Sequence, residues 1–484
     1  NWSNVERVEV LKGPGARIYG PNAYSGAINI VTKAGKEKSV FVGLMGGSYS
    51  LYEATATVQI PIKNFRQFIS VTASGADTFK HNTDFNMQNV LYQGNWQHKK
   101  NTIDVMAGFN QRKFGANGFY SSSAFTDQYE ETDALFTSLR YTHKFNSKAN
   151  IRATSYYRRH NDHYVFLRDN PAVYENFHTT QIAAIELNST IKSKFGIFNL
   201  GLDTRQEQIK SNNLGERSRN IVSAFVDYKT ILKNKFIINP GFNFTSIGEY
   251  EPVIYPGIDL GYLLNQNTTI YANSASSFRV PTYTDLYYVG RENIGNEDLT
   301  PERALTHEIG FKYQKGAFRN NAAAFWRNAN NAIEWVRAHD TDKWQPRNFL
   351  TLNTYGAEFS AEWNAPKASS FLNSARLSYT YLQTDFAVNE SLQSVYQLQN
   401  LRHQAILSIN HDVFGPIKHQ LAVRLMERHG LDPYVLVDTR LQAQLKNFTV
   451  YTEATNLTNV VFTEAGFARM PGRWLRLGVR FVWK

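Results

Sequence analysis

Cysteine is absent from all 484 residues. That excludes a disulfide framework, a thiolate zinc site and a cysteine nucleophile. No apolar run approaches the roughly 18 residues that a membrane-spanning helix needs, and the mean hydropathy is polar at −0.43. The opening NWSNVERVEV lacks the basic-then-apolar pattern of a signal peptide. The Gly-x-Ser-x-Gly and His-Glu-x-x-His signatures of hydrolases are also missing, so nothing points to an enzyme. The net charge is +11, but the basic residues are scattered rather than clustered. That argues against nucleic acid and suits a charged lumen, or a surface beside an anionic membrane leaflet.

What is present begins with a Gly- and Pro-rich stretch, ERVEVLKGPGARIYGPNAYSGAINIVTK, at 6–33. It is not a Walker loop: Gly15 and Gly20 have the right separation, but Pro21 and Asn22 follow where Lys and Ser or Thr are required. It is not a dinucleotide fingerprint either. Gly13 and Gly15 are followed by Ile18, and Pro21 and Gly26 would interrupt the helix. It reads instead as two short strands, with Val8, Val10, Ile28 and Ile30 apolar, joined through turn-forming residues.

Beyond it, two-residue alternation recurs. Tyr52, Ala54, Ala56, Val58 and Ile60 oppose Glu53, Thr55, Thr57 and Gln59, and Ile103, Val105, Ala107 and Phe109 oppose Thr102, Asp104 and Asn110. At the end, Leu475, Leu477, Val479, Phe481 and Trp483 oppose Arg476, Arg480 and Lys484. An ordinary antiparallel sheet would show the same period. The connections separate the two cases. Every other link is tight: 61–64, 97–101, 146–149, 194–196, 232–234, 264–267, 314–317, 365–370, 414–416 and 445–447. The rest are mostly long, as at 76–86, 113–131, 161–177, 278–302, 328–346, 384–400 and 456–471. Short turns at one end and long loops at the other mark a transmembrane antiparallel β-barrel, here of roughly 22 strands from Ser39 onward. The 27 Tyr and 32 Phe fit interfacial girdles. A barrel this wide needs a filled lumen, and the small unit before it suits the end of a plug. The predicted organisation is all-β: residues 1–37 as the C-terminal part of a plug domain and 38–484 as the barrel.

Residues 6–33 resemble the end of the plug in TonB-dependent outer-membrane receptors, with Ser25 where many members carry Gly. SSFRVPTYTDLYYVGRENIGNEDLTPE at 276–302 resembles the family's mid-barrel stretch. ATNLTNVVFTEAGFARMPGRWLRLGVRFVW at 454–483 resembles its final element, with Pro-Gly-Arg and an aromatic-rich last strand. The resemblance implies a Gram-negative outer-membrane importer of a scarce, bulky nutrient, energised through TonB and embedded in outer-membrane lipid. It implies no resident cofactor and no bond chemistry. It also implies that the first half or more of the plug is absent from this sequence, with the signal peptide and the TonB-contacting segment that would precede it. The FRVPTYTDLYY stretch looks most like the cobalamin-receptor branch. Haem and ferric-siderophore receptors share the motif, and a passive porin leaves 6–33 unexplained. A surface lipoprotein is a further partner that long loops would accommodate.

Candidate ligand contacts are loop aromatics, whose flat rings suit a corrin or porphyrin: Phe119, Tyr120, Tyr283, Tyr287, Tyr288, Trp335 and Trp344. The plainer reading of each is girdle or loop packing. His160 and His163, with Asp162 between them, and His339 and His429 are the histidines a haem would use. Asp77, Asp84, Asp127 and Asp133 are the calcium candidates, though dispersed. Glu6, Arg7 and Glu9 are expected to hold the plug to lumen-facing charges such as Arg476 and Arg480.

Overall fold

The computed structural model describes residues 4–484 apart from 14, 34–36, 121–124, 367–370, 387–391, 395–399 and 465–468. The turn expected at 365–370 lies largely outside the described residues, as do parts of the loops expected at 113–131, 384–400 and 456–471.

Among the described residues, a closed antiparallel barrel runs from β3 (Ser39–Gly47) to the last strand, Trp474–Trp483. Twenty-two long strands form its wall, and a two-residue strand, Gln393–Ser394, pairs beyond them. The last strand closes on β3 with Val479 opposite Leu44, so the wall has no free edge. Short turns, of two to four residues where all their residues are described, occupy one end. Lys63, Lys99, Gly316, Gly415 and Lys446 take positive φ there, which matches the right-handed twist of the flanking strands.

The alternation produces an inside-out wall. Leu44, Leu139, Ile185, Leu202 and Leu477 are exposed, whereas Thr55, Thr57, Ser70 and Thr72 are buried. In water this would be untenable; with lipid outside and a filled lumen it is the expected arrangement. Phe145, Phe195, Phe318, Phe414, Phe448 and Trp483 cluster near the short-turn end as an exposed aromatic girdle.

Two expected loops are shorter than predicted. Strand Ala149–Val165 absorbs the start of 161–177, and strand Phe318–Arg337 absorbs much of 328–346. Both strands continue past the apolar band. There neither face meets lipid, so the polar–apolar period that reveals a strand is lost.

Inside the lumen, β1 (Val5–Lys12) pairs antiparallel with β2 (Gly26–Thr32), Val8 facing Ile30 and Val10 facing Ile28. One helical turn, α1 (Ala16–Tyr19), lies in their connection. Gly13, Gly20 and Asn22 take positive φ. A Cβ on Gly26 would come within 2.6 Å of the Leu11 carbonyl oxygen. The glycines of the opening stretch thus serve a compact loop, not a phosphate.

Candidate functional site

The lumen hairpin is attached to the wall at its loop. α1 presents Arg17, whose side chain is only 8% exposed. Its Nη2 lies 2.6 Å from Asp259 Oδ2 and 3.1 Å from Asp227 Oδ1, and Nη1 donates to the Asn239 carbonyl at 3.1 Å. The wall is shaped for this side chain. Gly241 and Gly257 face each other in register, and a Cβ on either would sit 3.0 or 3.3 Å from Arg17 Cδ. Further along, the Asn22 N–H donates to the Phe278 carbonyl, and the Tyr24 ring lies 3.9 Å from the Arg327 guanidinium. Asn4 donates to Ser70, Gln93 donates to Thr32, and Lys12 pairs with Glu358.

Among the described residues, no ion pair joins Glu6, Arg7 or Glu9 to Arg476 or Arg480. Arg7 pairs with Glu6 at 3.5 Å and Glu9 at 2.7 Å on the hairpin itself. Arg476 pairs with Glu453 at 2.7 Å, and Arg480 lies over the Tyr451 ring. The five residues fall into separate groups, and Arg17 takes the role expected of them.

The stretch 276–302 folds as a clamp beside the hairpin loop. Arg279 binds Glu302 bidentately at 2.6 and 2.8 Å, and Glu302 also accepts the Ile333 N–H. Helix α2 (Tyr283–Tyr287) begins with a capping box between Thr282 and Asp285. Asp285 then accepts the Trp335 indole N–H at 3.1 Å. Tyr283 and Tyr287 lie beneath Arg219 and Arg217, and the Tyr283 hydroxyl donates to the Glu207 carbonyl. Burial pushes the Tyr283 phenol up to about 12. Trp344 lies under Arg337. The structure therefore uses Tyr283, Tyr287, Trp335 and Trp344 to pack this loop.

Tyr120 and Tyr288 belong to a second group. The Tyr120 hydroxyl donates to Glu130, and its ring meets Tyr164 edge-on at 5.5 Å and Phe119 at 5.2 Å. Tyr288 and Tyr174 bring their hydroxyls to 3.3 Å, and Asn176 donates to Tyr174. Burial raises both the Tyr120 and Tyr288 phenols. Glu130, Tyr164 and Asn176 share the lumen face of their strands. The result is a tyrosine-lined basin at the loop end, with Phe119 and Tyr120 half exposed.

Three loops bordering this basin are stitched together. Arg168 binds Asp84 bidentately at 2.6 and 2.9 Å and lies over Tyr129. Asn82 donates to the carbonyls of Thr126 and Gln128. Asp127 pairs with His81, and Asp133 accepts from Asn161. These aspartates are therefore dispersed. Among the described residues, no three His, Asp or Glu side chains converge on a metal position. The histidines are dispersed as well. His160 and His163 are three residues apart on one strand and so point to opposite faces. His163 contacts Glu175 and stacks on Phe177 on the outer face. His339 contacts Asp342 in its loop, and His429 lies in another loop.

A family model described as TonB dependent receptor-like, beta-barrel, matches residues 72–457. A vitamin B12 transporter, BtuB of Vibrio vulnificus strain CMCP6, is 24% identical over 389 residues, 74% of this chain. The chain spans 60% of that relative's length. Among solved structures, the FrpB iron transporter of Neisseria meningitidis superposes with a TM-score of 0.83 at 15% identity, over 99% of this chain and 89% of its own. The ferric-catecholate import receptor Fiu of E. coli K12 gives 0.81 at 15% identity, over 99% and 86%. At these identities the structural likeness establishes the fold.

Proposed function

The chain belongs to the TonB-dependent receptor-like β-barrel family, and from that membership we propose that it imports cobalamin, with an inner-membrane TonB complex acting on the lumen hairpin. Its family consists of outer-membrane receptors and transporters of Gram-negative bacteria, not enzymes, and their small molecules are cargo rather than cofactors. In this reading residues 4–33 are part of the plug. Ligand enters over the tyrosine basin and leaves past the hairpin once Arg17 is released from the wall.

The observation that carries the corrin reading is the tyrosine-lined basin at the loop end. A corrin brings its own axial groups and asks the site for flat aromatic contact and hydrogen bonds. Tyr120, Tyr164, Tyr174, Tyr288 and Asn176 offer both. The vitamin B12 transporter that matches this chain supports the same choice.

The test is equilibrium binding of cyanocobalamin to detergent-purified protein, from the longest available reading frame, with haemin and a ferric siderophore alongside. Nanomolar cobalamin binding that weakens roughly tenfold in Tyr120→Ala is the expected result, as for loss of one aromatic contact of about 1.4 kcal/mol. Tight haemin or siderophore binding without cobalamin would replace the ligand. Solute uptake that persists without proton-motive force would replace the importer with a passive pore.

A further inference from the structure

Two histidines meet on the outer wall at the short-turn end. Strands Leu401–Phe414 and Ile417–Arg428 are joined there by a tight turn at Gly415 and Pro416. His411 and His419 stand directly opposite each other across the two strands, both half-buried. They belong to the face that carries Leu407 and Leu425 further up, each exposed to the bilayer. Exposed Phe371 and Phe414 mark the edge of the apolar band beside them. The pair therefore lies at the level of the membrane surface, where periplasmic water reaches it.

The ring nitrogens are close together. His411 Nε2 and His419 Nδ1 are 3.3 Å apart, and the ring planes meet at 78°. The far nitrogen of His419 is held too, its Nε2 lying 2.6 Å from Thr439 Oγ1 on the next strand. With the Nε2–H given to that hydroxyl, the lone pair on Nδ1 faces His411. The Phe371 ring, 5.0 Å from His411, limits the swing of the other imidazole. The outward rows on either side are neutral. Ile409, Leu421 and Thr439 flank the pair above, and Ile417 and Ala443 below. Asp412 and Lys418, the adjacent residues in each strand, turn to the lumen face.

Other histidines meet a carboxylate: His81 with Asp127, His163 with Glu175 and His339 with Asp342. There the carboxylate satisfies the ring N–H. Two neutral imidazoles share one proton between the facing nitrogens, and a cation that takes two nitrogen ligands can replace it. Tetrahedral zinc binds imidazole at about 2.0–2.1 Å, which sets two such ligands about 3.3–3.4 Å apart. That spacing is present. A square-planar copper at similar bond lengths would draw them to about 2.8 Å. An anion would need both rings protonated, two like charges side by side with no carboxylate to offset them. We infer that His411 and His419 form a zinc site on the periplasmic rim of the barrel. The ion takes the place of the shared proton, which moves from Nε2 to Nδ1 of His411, so both rings bind as neutral ligands. Thr439 orients the His419 ring from outside the coordination shell, and water completes it. The bound ion clips the two strands together beside their turn.

The experiment titrates zinc chloride into the purified chain in detergent, free of any histidine tag, by calorimetry. The expected result is one zinc ion per chain, released by EDTA. His411→Gln and His419→Gln should each abolish it. Thr439→Val should weaken it roughly tenfold, as for loss of an outer partner of a ligating histidine. His339→Gln, in a loop at the other end, should leave it intact. Zinc should also raise the temperature at which the folded band is lost in heat-modifiable gel migration, in the parent protein but in neither ligand variant. The same gel, run without zinc, shows that each variant is folded. No saturable binding by the parent protein overturns the inference. So does unchanged binding in both ligand variants, or a loss in His339→Gln as large as theirs, since either result puts the ion elsewhere.

Discussion

Two sets of charges on the lumen hairpin behave in opposite ways. Arg17 is buried against a carboxylate that is itself 5% exposed, with a second carboxylate beside it. Glu6, Arg7 and Glu9 are about half exposed and satisfy one another on the same strand. Both are charged groups of one short unit, yet only Arg17 joins the hairpin to the wall through charge at depth. Charge identifies neither set as important. Burial and a partner on another element do.

The largest effect is therefore expected from Arg17→Ala. It leaves Asp227 buried beside Asp259 without its cation, and breaking a buried pair in this way costs about 3–5 kcal/mol. Asp259 is half exposed, which favours the lower figure. About 3 kcal/mol would raise the population with a detached hairpin loop roughly a hundredfold. Efflux of a small fluorophore from proteoliposomes should rise accordingly, and Arg17→Lys should fall between, since it keeps the charge but loses the fork. Efflux equal to that of the parent protein would mean that the other wall contacts suffice.

An intermediate case sharpens the contrast. Arg168 and Asp84 are 37% and 32% exposed, so their bidentate pair should contribute about 1 kcal/mol at most. The hydrogen bond from Arg168 holds the Asp84 carboxyl below its ordinary value of 3.8. A depressed carboxylate stabilises the fold in full above its unfolded value and loses that contribution as pH falls through the folded one. The latch joining 77–84 to 166–174 should thus hold unchanged from pH 7 to pH 5 and open only below 3.8. Amide exchange in these loops, corrected for intrinsic rates, should show that onset, and Arg168→Ala should show fast exchange at every pH. Loosening already at pH 6 would mean that another group controls the loops.

The barrel was legible in the sequence because lipid on one side and a polar lumen on the other impose a two-residue period, while the two ends impose different connection lengths. Where those conditions lapse, so does legibility. Residues 161–165 and 328–337 continue as strand but lie above the bilayer, where both faces tolerate polar side chains. Arg17 was hidden for another reason. One of its carboxylates is 242 residues away, and no local pattern links them. A signal did exist in the wall: Pro240-Gly241 and Pro256-Gly257 interrupt two neighbouring strands. Glycine within a strand often marks a close approach by another part of the chain. The loop aromatics were identifiable as a class but not by role. Tyr283 and Tyr287 pack beneath arginines, whereas Phe119 and Tyr120 border the basin.

The smallest effect should come from the hairpin charges that sequence position favoured. Replacing Glu6, Arg7 and Glu9 together with Gln removes two ion pairs but strands no buried charge, because all three side chains face solvent. Exposed pairs of this kind are screened by salt and lose in side-chain entropy what they gain in attraction. Glu9 also accepts a hydrogen bond from Asn29 on β2, and glutamine retains an oxygen for it. The triple variant should match the parent protein in fluorophore efflux, at both low and high salt, under conditions where Arg17→Ala leaks. If it leaked as much as Arg17→Ala, exposed charge on β1 would matter to the closed state as much as the buried arginine, and the division drawn between the two sets would fail.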